Sequence, residues 1–298
     1  MGVRSWIGML ALVVCGVGQA SCPPAGETPA SLLAMKAAQW RVSAQDDEAA
    51  RQSLALRLLD CLADPDPVLR DDLAFEALSA WMRGKQLTQP TLQDLRVRLL
   101  AMLAGPPDTV GFRQPFAALT LAEVARVDRL ASFLSVEERG ELVARAAAYL
   151  AGVRDYRGFD AREGWRHGVA HGADLMLQLS LNPLLQRAQA EVMLAAIASQ
   201  VLPAGGHFYL YGEPTRLMAP VFYLARRGWL QQEDWQAWFD GLTARAAHVG
   251  PPTQTSLAAR HNLGAFLSGL YASVQEGADQ ARKTVLLPGL RKAMKAVD

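Results

Sequence analysis

The sequence predicts an all-α protein of antiparallel helix pairs, stacked as a HEAT/ARM-like solenoid or a related α/α array. Apolar residues recur at helical spacing, as in Leu54, Leu58 and Leu62, and a period near 3.6 marks an amphipathic helix. Hydrophobic residues make up 51% of the chain, mostly Ala and Leu, both strong helix formers. Short joints of Pro, Gly and Asp punctuate the chain throughout, and short connections force successive helices to lie antiparallel. A length of 298 residues exceeds the usual single-domain range of roughly 100–200. Stacked helix pairs escape that limit, because each buries its apolar face only on its neighbours.

The elements follow in order. Thr28-Pro29 opens a first helix reaching about residue 42, and a second covers about 46–62. Asp64-Pro65-Asp66-Pro67 is a stop and restart. Pro67 suits the first turn of a helix carrying Leu69, Leu73, Ala77 and Trp81, because the missing N–H has no partner to lose there. This Asp-Pro joint has the form of a HEAT repeat boundary, with no clear second copy. Further helices are expected near 91–103, 115–127, 137–153, 163–181, 184–202, 214–227, 232–247, 257–276 and 279–295. The segment 207–211, His-Phe-Tyr-Leu-Tyr, is the only plausible strand. No Gly/Ser linker divides the chain, so residues 21–298 read as one helical domain.

At the N-terminus, Arg4, an apolar stretch from Trp6 to Val14 and a small-residue region ending at Gly18 and Ala20 have the order of a secretory signal. Cleavage after Ala20 leaves basic and acidic residues in balance, since only Arg4 is lost. The expected location is periplasmic or secreted. Lipidation at Cys22 is the alternative, and the only route by which this reading ties the chain to a membrane. Cys22 and Cys61 could pair in an oxidising compartment, or Cys61 could be a free buried thiol. A net charge of +1 and no basic run argue against a nucleic-acid partner.

Chemistry concentrates in the stretch from Gly164 to Asp174. On a helix His167, His171 and Asp174 share one face. Two imidazoles four residues apart with a carboxylate can bind a divalent metal ion or act as an acid/base array; packed structural histidines are the plain alternative. The stripe Gly164, Gly168 and Gly172 costs about 1 kcal/mol per glycine inside a helix, so the close approach of a helix or a ligand is expected to compensate. Asp155, Arg157, Trp165, Glu213 and Arg216 are candidates for the border of a pocket. No Gly-x-Ser-x-Gly, P-loop or dinucleotide fingerprint is present.

Several segments carry a resemblance. They are Arg70-Asp71-Asp72-Leu73-Ala74-Phe75-Glu76-Ala77-Leu78, Phe112-Arg113-Gln114-Pro115-Phe116, Asp155-Tyr156-Arg157-Gly158-Phe159, Gly164-Trp165-Arg166-His167 through Ala173-Asp174, Tyr211-Gly212-Glu213, and Asn262 with Phe266-Leu267. In these the chain resembles the bacterial family known as domain of unknown function 2785. The resemblance implies an all-helical fold and carries no activity with it. The residues themselves point to an exported binding or scaffold module for a protein or small-molecule ligand. The rival is a metal-assisted hydrolase using His167, His171 and Asp174.

Overall fold

A computed structural model describes residues 22–41 and 48–297. The leader read at 1–20 and the first residues of the expected second helix lie outside the described residues. The described chain is all-α, with twelve α-helices and one two-stranded hairpin.

Helix α1 spans Pro29–Ala37, opened by a Thr28–Ser31 capping box with Pro29 in the first turn. It ends earlier than expected. Gln39 and Trp40 take positive φ, which turns the Trp40 ring inward to meet Trp81 edge-on at 6.3 Å. Helix α2 (Glu48–Arg57) tightens into a 3₁₀ segment, Leu58–Ala63. There Cys61 is buried and bonded to Cys22, so the pairing left open by the sequence is present. After Pro67 the backbone widens into a π-helical stretch, Val68–Phe75, before α3, Glu76–Arg83. Next come α4 (Gln89–Ala104), α5 (Arg113–Leu130) and α6 (Val136–Gly152).

The expected helix at 163–181 is shorter than its pattern. Its first residues belong to an antiparallel hairpin of β1 (Phe159–Asp160) and β2 (Gly164–Trp165). Helix α7 is Gly168–Ser180. The physical reason is local, since Gly164 has φ +74° and His167 φ +51°, left-handed conformations that no α-helix tolerates. Then follow α8 (Arg187–Val201), α9 (Glu213–Leu224), α10 (Gln232–Ala246), α11 (Gln254–Glu276) and α12 (Gln280–Val297). The segment 207–211 forms no strand; its backbone is held by Asn262, which accepts from the Tyr209 N–H and donates to the His207 carbonyl.

Helices pack on neighbours two places along the chain. The π segment and α3, then α5, α7, α9 and α11, make one row; α2, α4, α6 and α8 make a second. Helices α10, α11 and α12 close the C-terminal end. Helices α5 and α7 lie deepest and are buried over most of their circumference. Two of the three glycines explain how α6 comes so close to α7. A Cβ on Gly172 would sit 3.0 Å from Leu150 and 3.2 Å from Tyr149, and one on Gly168 would meet the Tyr149 hydroxyl at 3.4 Å. That hydroxyl donates to the Gly168 carbonyl. The compensating partner is therefore a helix.

A buried carboxylate ties three helix ends together. Asp128, at the end of α5, accepts from Arg139 Nε and Nη2, from the Phe133 and Leu134 N–H groups, and from Asn182 Nδ2 beyond α7. Burial by itself would raise its pKa, but the Arg139 guanidinium and these N–H donors together hold it below the ordinary value. Removing one partner of such a buried pair costs about 3–5 kcal/mol. Asp128→Ala is therefore expected to lower the unfolding free energy by about that amount. Because the folded pKa is depressed, the contribution is present above the unfolded value of 3.8 and is lost as pH falls through the folded one. Urea denaturation of wild type and variant from pH 7 to pH 3 should show the two curves converging only at the acid end.

Candidate functional site

The loops that lead into the first row of helices meet at one end of that row, and the hairpin lies among them. Arg70 of the π stretch is fully buried and donates through Nη2 to the Glu163 carbonyl, which fixes the hairpin turn. Its guanidinium lies 3.8 Å from the centre of the Phe112 ring, and Arg166 lies 4.5 Å from the same ring. Arg166 also bonds to the Val110 carbonyl and to Glu163. The hairpin is thereby seated on the start of α5.

On this base stands a cluster of rings. Trp165 of β2 touches His167 at 4.2 Å between centroids, Phe159 at 4.9 Å and Tyr211 at 5.5 Å. His167 is 6.0 Å from His171, and His171 rests against the Phe116 ring at 5.1 Å. Phe159, Trp165 and Tyr211 remain 50%, 39% and 41% exposed. Tyr211 is seated on Gly158, where a Cβ would collide with its ring at 2.0 Å, so any larger residue at 158 displaces it. A second ring group adjoins, with Tyr156 stacked on His207 at 4.9 Å and meeting Tyr209 edge-on.

The sequence reading placed His167 on the same helix face as His171 and Asp174. The structure corrects this. His167 precedes the helix, at the N-cap of α7, with φ +51° and ψ +40°. It still reaches His171, because its carbonyl accepts the His171 N–H at 2.9 Å. Asp174 lies one turn further on, where Arg216 of α9 donates to both of its oxygens at 2.7 Å. Among the described residues no three His, Cys, Asp or Glu side chains are grouped so as to hold a metal ion, and the Asp174 carboxylate is engaged by a cation instead. Glu213, the first residue of α9, is buried and accepts from the Tyr211 N–H at 3.0 Å, positioning the ring. Asp155 and Arg157 pair with each other. Asp155 belongs to a different hollow, a cleft of about 510 Å³ lined by Leu103, Gln114, Arg145, Tyr149 and Gly168 among others. Neither imidazole lines that cleft.

Both histidines are held neutral. Burial and then the nearby Arg216 charge push the His167 pKa down to about 4. Burial and then His167 push that of His171 down to about 3. His167 Nε2 and His171 Nδ1 are buried and have no hydrogen-bond partner in the protein. Burial raises the Asp174 carboxyl above its ordinary value, with Arg216 pulling the other way. Sequence reasoning singled out Trp165, both histidines and Arg216. It missed Phe159, Phe116 and the role of Arg70. Gly158, between Arg157 and Phe159, was the one local sign that a ring would pack there.

The model of a family described as "Protein of unknown function (DUF2785)" matches residues 99–272, more than half of the chain. The Arg70–Leu78 segment, also read as part of the resemblance, lies before the matched region. No curated protein and no solved structure matches the chain.

The depressed imidazoles make a pH prediction. An unfolded histidine takes up its proton near pH 6.5, while buried His171 does not until about pH 3. Its contribution to stability is thus complete above pH 6.5 and is lost as pH falls from there. One unmatched proton corresponds to a slope of about 1.4 kcal/mol per pH unit. Between pH 6 and pH 4, His171→Asn should have a stability curve flatter than wild type by about that slope, measured from urea midpoints.

Proposed function

We propose that this chain, which belongs to the DUF2785 family, is an exported ligand-binding protein whose recognition site is the aromatic and imidazole cluster at the end of the α5–α7–α9 row. Packing between helices two apart in sequence supports reading residues 21–298 as one HEAT/ARM-like body. The Cys22–Cys61 bond supports export, since disulfides persist in oxidising compartments. It also occupies the sulfur that a lipid would need, which favours a cleaved, unlipidated form.

One observation carries the binding reading. Two imidazole nitrogens, His167 Nε2 and His171 Nδ1, are buried without a partner; the exposed Trp165 ring covers His167, and His171 lies behind it against the buried Phe116. A buried polar atom left unpaired costs about 1–3 kcal/mol, and a ligand that moves the Trp165 ring off His167 and supplies the missing hydrogen bonds recovers it. The backbone points the same way. His167 sits in the left-handed region, at a cost of roughly 1–2 kcal/mol for a residue with a Cβ, and such strain clusters at functional positions.

The test is a thermal-shift screen of the mature protein against neutral sugars, amino acids and dicarboxylates. At least one compound is expected to raise the melting temperature of wild type. That shift should vanish in Trp165→Ala and in His167→Gly and persist in Trp229→Phe, which lies outside the cluster. His167→Gly should itself fold with unchanged or greater stability, because glycine relieves the left-handed residue. Absence of any shift, or shifts that survive both cluster variants, would overturn the placement of the site. Export has its own check. Intact-mass analysis of protein recovered from a bacterial periplasm should give a chain starting at Ser21, two hydrogens lighter than the dithiol form and without a lipid.

A further inference from the structure

The cleft bordered by Asp155 is lined by none of the rings of the aromatic cluster. It opens between the end of α4, the start of α5 and the end of α6. We propose that this cleft binds a small organic monocarboxylate with an apolar body, held at its acid end by Arg145 and Arg154. The proposal goes beyond the cluster reading and does not depend on it.

Space is the first ground. At about 510 Å³, the cleft falls within the roughly 300–1,000 Å³ of small-molecule sites. Its walls include Leu103, Pro107, Pro115, Val153 and Tyr149. Helix α6 contributes Arg145, Ala148, Tyr149 and Gly152, the i, i+3, i+4 and i+7 positions of one helix face. Gly152 keeps that face low. Its φ is not positive, and a Cβ there would meet nothing within 4 Å. Neither backbone conformation nor packing therefore calls for glycine, and the space a side chain would take is open cleft.

Charge is the second ground. Arg145 is exposed and has no ion-pair or hydrogen-bond partner among the described residues. Arg154 donates through Nη1 to the carbonyls of Ala151 and Val153. Those bonds anchor its guanidinium and leave the Nε–Nη2 edge unbonded among the described residues. The nearby carboxylates are engaged elsewhere. Asp155 pairs with Arg157, Asp108 accepts from the Phe112 and Arg113 N–H groups, and Glu141, one turn before Arg145, pairs with Arg96. A lone exposed arginine is ordinary surface. Two that open on one concave cleft, with no carboxylate bonded to either, attract an anion.

The ligand class follows from the two grounds together. A guanidinium edge presents two parallel N–H donors that match the two oxygens of a carboxylate. Inorganic phosphate would meet the arginines but leave Leu103, Pro115 and Val153 uncovered. A dicarboxylate would bring its second charge against those walls, where desolvating it is costly.

The experiment is calorimetric titration of the mature protein with benzoate, phenylacetate, hexanoate and octanoate, each compared with its primary amide and with inorganic phosphate. None of these belongs to the compound classes that probe the ring cluster, so the two sites are read separately. At least one carboxylate is expected to bind once per chain, and its amide about tenfold or more weakly, the scale of losing a charge-assisted hydrogen bond. Arg145→Gln should weaken the carboxylate by a similar factor. Gly152→Leu should abolish binding by filling the cleft, and Trp165→Ala should leave it unchanged. Thermal melts check that the two cleft variants fold, as expected where Arg145 bonds to nothing and Gly152 has open space above it. Four results overturn the proposal: no carboxylate binds, the amide binds as well as the acid, phosphate binds more tightly than any carboxylate, or affinity is unaltered in either folded cleft variant. Carboxylate binding lost only in Trp165→Ala would likewise overturn it and assign the acid to the ring cluster.

Discussion

The site depends on one buried guanidinium. Arg70 has no exposed surface, and a charge taken out of water costs several kcal/mol unless it is paired and hydrogen-bonded. An arginine has five N–H donors, and five acceptors surround this one. Nε and Nη2 bond to the two oxygens of Asp71, Nη1 to the carbonyls of Asp64 and Pro65, and Nη2 to the carbonyl of Glu163. Phe112 supplies the face on which the cation lies. Four of the five acceptors come from within six residues of Arg70 itself. The fifth is 93 residues away and belongs to the turn that carries Trp165.

The rest of the site follows from that arrangement. The widened π turn lets Arg70 reach back to the joint before its own helix while still pointing at the hairpin, and such departures from α geometry recur at functional positions. Once Glu163 is held, Gly164 takes positive φ, with Arg70 Nη2 3.2 Å from where its Cβ would be. Trp165 and Phe159 then face each other across the ladder, and Arg166 turns inward onto Phe112. The chain has one residue left before α7 begins, and that residue is His167. Its left-handed backbone is the link between a hairpin fixed from one side and a helix fixed from the other by Tyr149, Gly168 and Gly172. The strain at His167 is thus the product of two well-held neighbours.

These relations explain what could be read from the sequence and what could not. Helix positions were legible wherever Pro, Gly or Asp broke a run of Leu and Ala, because capping and burial are local: α1 starts at the Thr28-Pro29 joint, with the Thr28–Ser31 box in place. The glycine stripe was legible as a cost in need of compensation, and Tyr149 and Leu150 supply it. The hairpin was not legible, because nothing within 159–165 alternates over more than two residues and its anchor is Arg70, far off in the chain. The period that joins His167, His171 and Asp174 therefore suggested a helix that starts too early. The two histidines meet all the same, by a capping carbonyl rather than a shared helix face, while Asp174 goes to Arg216 on a helix that spacing could not bring near.

The same burial sets the charge state of the two imidazoles. A general base works best when its pKa lies near the ambient pH, and imidazoles held near 4 and 3 are weak proton acceptors at neutrality. In an acid/base array a carboxylate orients and charges the imidazole beside it. Here the nearest candidate, Asp174, is bound at both oxygens by Arg216, and that cation lowers the His167 pKa further. Every electrostatic choice in the cluster therefore suppresses charge on the rings and leaves their hydrogen-bonding capacity intact. Burial thus leaves His167 Nε2 and His171 Nδ1 as neutral nitrogens without a partner in the protein.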